Sequence, residues 1–229
     1  MQKTTKGWLI NMNTNLNLIE KTAKALENNN IKCIIANKKS DIIPILNDML
    51  NGNEKVAWGG SVTLNQAGVI DYLKTNEFDY IEVNHNKMSP TEVKACYLKA
   101  FSSDVYFLSA NAITENGELY NVDGRSNRVA ALCFGPDKVI VIAGKNKIVN
   151  DIAEAAKRVK TIAAPLNTKR LDCDTYCKNA DKCVAVNKND DTFAGCHSDA
   201  RICCNYVVTG FQREYGRITV ILVNDELGY

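Results

Sequence analysis

The chain has 229 residues, of which 45% are hydrophobic and 24% are charged, and its formal net charge is +2. A chain of this length can bury the core of one domain. Its lysines are spread among asparagines instead of forming the dense basic stripe that nucleic-acid binding needs, so no nucleic-acid partner is expected. No apolar stretch is long enough for a signal peptide or a membrane span. We therefore expect a cytoplasmic protein in which residues 1–229 form a single α/β domain.

The first half of the chain alternates between amphipathic helical patterns and short apolar stretches. Leu16, Ile19, Ala23 and Leu26 recur at three- and four-residue spacing, which predicts a helix over 14–29. Further helices are predicted over 41–50, from 60 to about 73 and from Pro90 onward, and strands over 31–36, 55–58, 79–83 and 105–109. Short apolar strands that alternate with helices predict an α/β fold with a mostly parallel sheet, covered by helices on both faces.

The second half continues this pattern, with one interruption and a polar segment. Asn116-Gly117 lies between two short segments and predicts a two-residue hairpin turn. A polar, cysteine-rich insertion over 172–205 has little periodicity, so it is not expected to form an apolar core unaided. The remaining predicted elements are a helix over 127–133, a strand over 139–143, a helix over 149–162 that ends before Pro165, and strands near 206–209 and 218–223.

The stretch WGGSVT, residues 58–63, places a glycine pair between a predicted strand and a predicted helix. Backbone amides at a helix N-terminus point towards anions, and Gly59 and Gly60 have no side chain to keep a phosphate or carboxylate away. Ser61 and Thr63 add hydroxyl donors. The alternative is an ordinary strand-to-helix turn that Ser61 caps, and the residues leave both interpretations open.

A second candidate site is the loop SANAITENGELYNVDGRSNRVAAL, residues 109–132, which follows a predicted buried strand. Open parallel sheets bind their ligands at the carboxyl ends of strands. Glu115 could act as a nucleophile or base, and Arg125 and Arg128 could clamp an anion. The alternative is a hairpin with solvated glutamates and helix-capping residues. Together the two loops give these candidates for anion binding: Gly59, Gly60, Ser61, Thr63, Asp123, Gly124, Arg125, Asn127 and Arg128.

The same loop resembles the shared signature of the isomerase and CoA-transferase-like superfamily, which includes ribose-5-phosphate isomerase. That signature is similar to G-A-D-x-I-x-x-N-G-x-V-x-N, and the matching residues in this chain are Ser109, Ala110, Asn111, Ile113, Asn116, Gly117, Leu119 and Asn121. The resemblance places Asn111, beside Glu115, among the catalytic candidates. Asn111 stands where the family has its catalytic aspartate, and an amide cannot take a proton as a carboxylate does. The resemblance therefore implies the fold. The amide at Asn111 argues against isomerase chemistry by that route.

A closer resemblance runs in order over roughly residues 50–229. It is carried by WGGSVT, NAITENGELYNVDGRSNRVAAL, FGPDKVIVIAGKNKIV, AAPLNTKRL and VILVNDELGY. These stretches resemble the lactate-utilisation (LUD) family, which contains lactate utilisation protein C, a component of a bacterial lactate-oxidising system whose partner subunits carry iron-sulfur clusters. The resemblance implies a small anionic metabolite as ligand and iron-sulfur lactate-oxidation subunits as partners, and it leaves a homo-oligomer open.

Six of the nine cysteines fall within 32 residues, with the spacing C-x3-C-x5-C-x12-C-x6-C-C. Because cytosolic thiols stay reduced, such a cluster predicts a site for Zn²⁺ or an iron-sulfur cluster more than a disulfide framework. The alternative is a reduced thiol cluster or a thiol-disulfide switch. Similar tails in some LUD-family members imply Cys173, Cys183, Cys196 and Cys203 as ligands, with Cys177 and Cys204 as alternates. We slightly favour a [4Fe-4S] cluster over Zn²⁺, because the family sits beside electron-transfer proteins.

Three functions are compatible with these features, and the sequence leaves open whether the chain is an enzyme. The first is support of the oxidation of lactate or a similar small organic acid, as a component of or accessory to an iron-sulfur electron-transfer system. The second is a stand-alone enzyme for a phosphorylated or CoA-linked substrate. The third is a non-catalytic binding module with a structural zinc.

Overall fold

The computed structural model describes residues 18–83, 87–187 and 192–229. Within these ranges the strands are β1 (Lys32–Ala36), β2 (Lys55–Trp58), β3 (Asp79–Ile81), β4 (Val105–Leu108), β5 (Ala112–Thr114), β6 (Leu119–Asp123), β7 (Lys138–Gly144), β8 (Ile148–Val149), β9 (Asn205–Thr209) and β10 (Ile218–Val223). The helices are α1 (18–28), α2 (Ile42–Met49), α3 (Val62–Gln66), α4 (Val69–Thr75), α5 (Pro90–Ala100), α6 (Asn127–Cys133), α7 (Ile152–Arg158), α8 (Ala164–Arg170) and α9 (Tyr176–Ala180). The first four residues of the helix predicted over 14–29 lie outside the described ranges.

A six-stranded parallel sheet forms the centre of the molecule, in the order β1-β10-β7-β4-β2-β3. Because successive side chains of a strand point to opposite faces, Tyr106 and Leu108 of β4 join one hydrophobic cluster, whereas Val105 and Phe107 join another. α1 packs in the first cluster, and α2, α3 and α4 pack in the second. The predicted parallel sheet with helices on both faces is therefore confirmed.

Local signals fix several helix boundaries. α5 begins with Pro90 in its first turn, and Ser89 and Glu92 form a reciprocal capping box, which satisfies backbone amides that have no partner within the helix. The single helix predicted from 60 to about 73 is instead two helices, because Gly68 adopts a left-handed conformation with φ of 71° between them. In the described part of the chain, no helix is both long and apolar enough to cross a membrane.

A second, four-stranded sheet with the order β8-β5-β6-β9 was not anticipated from the sequence. Its centre is the hairpin predicted at Asn116-Gly117, with β5 and β6 antiparallel. The turn is longer than the predicted two residues. Gly117, with φ of 81°, donates its N–H to the Thr114 carbonyl, and Thr114 donates to the Glu118 carbonyl, which is the pattern of a type I turn followed by a bulge.

The helix predicted over 149–162 differs from the structure at both ends. Val149 lies in β8, and α7 begins at Ile152 after Asp151, whose side chain accepts the Glu154 N–H. At the other end the chain does not stop before Pro165: a wider π-helical turn, Val159–Ala163, leads directly into α8. Ala164 donates to the carbonyl of Val159, five residues earlier. This shift in the hydrogen-bond ladder places the proline near the start of α8, where a missing N–H is tolerated.

Candidate functional site

Three neighbouring strands of the main sheet, β2, β4 and β7, end at one edge, and the loops that follow them surround a large cleft. We call it the main cleft; its volume is about 1080 Å³. This is the position at which parallel sheets bind their ligands. Most of the predicted anion-binding residues line it, namely Gly60, Ser61, Thr63, Asp123, Gly124, Arg125, Asn127 and Arg128, together with Asn111.

The WGGSVT loop contributes to the main cleft and also caps a helix. Ser61 lines the cleft while its hydroxyl accepts the Leu64 N–H at the start of α3. Thr63 is buried and donates to the carbonyl of Leu227. Gly59 does not line the cleft; its main chain lies against the side chain of Arg128 instead. The helix-capping interpretation of Ser61 therefore describes the local structure, and it is compatible with a ligand beside the loop.

Arg128 lies in the wall of the main cleft, and its guanidinium donates hydrogen bonds to oxygen atoms of the protein. Its Nε donates to Oδ1 of Asp123 at 3.0 Å. The two terminal nitrogens donate to side-chain oxygens of Asn111 and Asn121 and to backbone carbonyls of Ser109 and Val122. The side chains of Arg128 and Asp123 are only 12% and 13% exposed. A guanidinium with its donors committed in this way fixes the shape of the cleft and the orientation of the Asn111 amide.

Lys147 lies on the main cleft and was not a candidate from the sequence. It follows β7 and is only 3% exposed. Its ammonium nitrogen lies 2.9 Å from the Thr63 hydroxyl, 3.0 Å from the Ser109 hydroxyl and 3.1 Å from the Ala110 carbonyl. Burial, reinforced by the charges of Arg158 and Arg128, lowers the pKa of Lys147 to about 7. Its position just after the apolar run Val139–Ala143 is the one sequence feature that points to it.

The main cleft carries more positive than negative side chains. Among the described residues, its charged lining consists of Arg125, Arg128, Lys147, Arg170, Arg201, Asp123 and Asp199. Because Asp123 is paired with Arg128, the remaining charge favours an anionic ligand. Arg125 is exposed on the cleft wall, so its guanidinium is accessible to a ligand.

Glu115 lies apart from the residues that line the main cleft. It lies in the β5–β6 turn, outside the lining of the main cleft. Its carboxylate pairs with the ammonium of Lys21 on α1 at 2.5 Å, and its backbone N–H donates to the Val149 carbonyl. Asn111, the other catalytic candidate, does line the cleft, and its side-chain oxygen also accepts the Val122 N–H.

The cysteine-rich segment divides between two places. Cys177, Cys183, Cys196 and Cys203 line a small space of about 20 Å³, which we call the thiol cavity. Cys173 and Cys204 line the main cleft instead. All nine cysteines are free thiols. Among the described residues, no three histidine, cysteine or carboxylate side chains already stand around a metal-sized point.

Comparison with known proteins places the chain in a family. A DUF162 family protein of known structure from Deinococcus radiodurans is 10% identical with a TM-score of 0.47, and the alignment covers 91% of this chain and 97% of that one. The structure of eIF2B delta from Chaetomium thermophilum is 17% identical with a TM-score of 0.34, and the alignment covers 52% and 50% of the two chains. No curated protein matches the sequence. The LUD domain matches residues 19–223, and the chain therefore belongs to the LUD-domain family.

Proposed function

We propose that the chain binds a small organic acid, lactate or a close relative, in the main cleft and takes part in its utilisation. The observation that carries this proposal is the excess of cationic side chains around the carboxyl ends of β2, β4 and β7. A carboxylate is the anion that the family context favours, because the LUD family is a lactate-utilisation family.

Arg125 is the side chain best suited to hold the carboxylate. It is exposed on the cleft wall, and a planar guanidinium can bind both oxygens of a carboxylate at once. Arg128 lies close by in sequence, but its donors are already used by Asp123, Asn111 and Asn121. We assign Arg125 to ligand binding and Arg128 to shaping the site.

The size of the main cleft indicates how the acid would bind. Small-molecule sites usually enclose about 300–1,000 Å³, and a free three-carbon acid would fill only a small part of a cleft of about 1080 Å³. The acid would therefore bind beneath a partner protein that covers the opening, such as an iron-sulfur subunit of a lactate-oxidising system, or as part of a larger CoA-linked molecule.

Enzymatic turnover is a second candidate function, and Lys147 favours it. An amine whose pKa is lowered to about 7 is partly neutral at physiological pH and can accept a proton from a bound substrate. Its nitrogen lies at the junction of the Thr63 and Ser109 loops, and its side chain lines the same cleft as Arg125. Glu115 lies outside the cleft lining, so we assign any role as base to Lys147 instead.

Calorimetric titration of the purified chain tests the binding proposal. The ligands are lactate, pyruvate, inorganic phosphate and coenzyme A, each against the wild type and Arg125→Gln. We expect lactate or pyruvate to bind, and the variant to lose about 10- to 100-fold in affinity, because a hydrogen bond to a charged group contributes about 1.5–3 kcal/mol. Binding of coenzyme A alone would favour the CoA-linked substrate.

Two variants serve as controls for this titration. Arg213→Gln removes an exposed arginine that lies outside the main cleft, and Glu115→Gln neutralises the hairpin carboxylate that pairs with Lys21. Both should keep the wild-type affinity. Equal affinities for the wild type and Arg125→Gln would refute the assignment of Arg125, and failure of every ligand to bind would refute the proposal for the isolated chain.

A further inference from the structure

Four cysteines from separate parts of the C-terminal segment line the thiol cavity. Cys177 lies in α9, Cys183 follows that helix, and Cys196 and Cys203 lie in the stretch that leads to β9. The rest of the lining consists of Val159, Lys160, Ala164, Tyr176, Val184 and Tyr206, so the thiols face mostly apolar side chains with one lysine among them. We propose that Cys177, Cys183, Cys196 and Cys203 bind a single Zn²⁺ ion.

The number and type of these groups suit zinc. Structural Zn²⁺ sites are closed, tetrahedral and often formed by four thiolates, with Zn–S distances of about 2.3 Å. A metal dication also supplies the positive charge that lets thiols ionise in apolar surroundings.

The surroundings of the sulfurs resemble the outer contacts of a metal site. The Cys183 sulfur accepts the backbone N–H of Ala185 at 3.5 Å. The Cys177 sulfur lies 3.5 Å from the hydroxyls of Thr168 and Thr175, both buried. Hydrogen bonds of this kind orient ligand side chains and stabilise their ionised form.

Arg201 ties together the two cysteines that are nearest the end of the segment. Its guanidinium donates to the backbone carbonyls of Cys196 and Cys203 at 3.0 and 2.8 Å. These contacts hold the main chain at both cysteines. Because the sulfurs are not already arranged around a common point, metal binding would require rotation of the cysteine side chains and small local shifts.

The size of the thiol cavity distinguishes one ion from a cluster. A volume of about 20 Å³ is close to the space that one water-sized sphere needs. A [4Fe-4S] cluster adds four irons and four sulfides within its cysteine ligands and would require the walls formed by the π-helical turn and β9 to separate. The cavity therefore favours a single ion over the cluster that family context suggested.

The proposed ligand set differs from the four cysteines that the sequence resemblance implied. Cys177 takes the place of Cys173, which lines the main cleft. The stretch between Cys196 and Cys203 also contributes Asp199, Arg201 and Ile202 to the wall of the main cleft. A zinc ion would thus hold a polar segment that has little apolar core of its own against the second sheet.

Metal analysis of the full chain, purified anaerobically under reducing conditions, tests this proposal. We expect one zinc per chain, with neither iron nor acid-labile sulfide. Removal of the metal and addition of Co²⁺ to the wild type should give the visible absorption of tetrahedral thiolate coordination. Iron with sulfide, a disulfide among the four cysteines in place of a metal, or failure to bind zinc after reconstitution would each overturn it.

Serine variants identify the ligands. Cys177→Ser should weaken zinc binding by more than about 100-fold, since loss of even an outer contact of a metal ligand costs about 10- to 100-fold. Cys173→Ser and Cys204→Ser are the matched controls from the same segment and should keep one zinc per chain. Zinc loss from Cys173→Ser with retention by Cys177→Ser would contradict the ligand set. The Co²⁺ spectrum of the wild type decides the coordination even where a variant does not fold.

Discussion

The main chain of Gly59 lies so close to the side chain of Arg128 that a Cβ on the glycine would be 2.8 Å from Cδ and 2.9 Å from Cγ of the arginine. The arginine cannot easily retreat, because its guanidinium is held by Asp123, Asn111 and Asn121. The first glycine of the WGGSVT motif therefore gives room to the arginine that shapes the main cleft. Approach of a ligand to Gly59 itself is not needed to explain the motif.

Gly59→Ala should lower the free energy of unfolding by about 1–3 kcal/mol, the usual cost of forcing an additional group into a packed site. Gly60→Ala is the matched control, since a Cβ there would meet nothing within 4 Å. Its unfolding free energy should change by about 0.5 kcal/mol or less. Urea denaturation of both variants measures the difference, and equal losses would contradict the role assigned to Gly59.

Removal of the Arg128 guanidinium should lower the free energy of unfolding by more than Gly59→Ala does. Arg128→Met leaves the Asp123 carboxylate nearly buried without its cation, and loss of one partner of a buried ion pair costs about 3–5 kcal/mol. Arg125→Met is the control, because Arg125 is exposed; we expect a change within about 0.5 kcal/mol. Thermal or urea unfolding gives both values. A loss of less than about 1 kcal/mol for Arg128→Met would show that the network is not important for stability.

The main sheet could be predicted because its strands carry local signals. The β4 stretch Val105–Leu108 is apolar throughout, and the structure buries every residue of it, as expected of a strand covered on both faces. The loops after β2 and β4 were also identified, since glycines and polar residues that follow an apolar strand indicate the ligand-binding edge of such a sheet. These predictions depended only on residues that are close together in the sequence.

What could not be predicted depends on contacts between distant parts of the chain. β10 inserts between β1 and β7, and no local pattern specifies its neighbours. Lys147 is on the main cleft only because β7 lies beside β4, which brings it to Ser109 and Ala110. Likewise the choice between Cys173 and Cys177 depends on how α9 packs, and Pro165 fits a helix only because of the wider turn before it.

The lowered pKa of Lys147 predicts a specific pH dependence of stability. The pKa is about 7 in the folded chain against 10.5 for an ordinary lysine, so between these values the unfolded chain binds the additional proton. The free energy of unfolding should therefore rise with pH over this window, by up to about 1.4 kcal/mol per pH unit. Below about pH 7 both states are protonated, and burial of the charge destabilises the fold in full.

Lys147→Met removes this contribution, so the comparison is made between the two proteins. Urea denaturation at several pH values from 6 to 9, in reducing buffer, gives the difference in unfolding free energy between wild type and variant. That difference should be constant near pH 6 and should move in favour of the wild type above pH 7. A difference that does not change across the series would show that the buried amine has an ordinary pKa.

The docking of α1 on the hairpin of the second sheet gives the last prediction. A Cβ on Gly117 would lie 2.4 Å from the backbone carbon of Ala25 and 2.5 Å from the backbone nitrogen of Leu26, and a main chain cannot yield as a side chain can. Asn29, just after α1, also donates to the carbonyls of Asn116 and Gly117. Any side chain at residue 117 should therefore separate the hairpin from the helix.

Gly52 provides the control for Gly117, because both glycines have a positive φ, 86° and 81° respectively, but a Cβ on Gly52 would meet nothing within 4 Å. Gly52→Ala should cost only the strain of a left-handed conformation, about 1–2 kcal/mol. Gly117→Ala should lose about 1–3 kcal/mol more, because it adds overpacking against the helix backbone. Urea denaturation of the two variants isolates the packing contribution, since the conformational strain is common to both. Equal losses would mean that α1 can move away from the hairpin at no cost, and that the Lys21–Glu115 ion pair and the Asn29 hydrogen bonds do not hold it there.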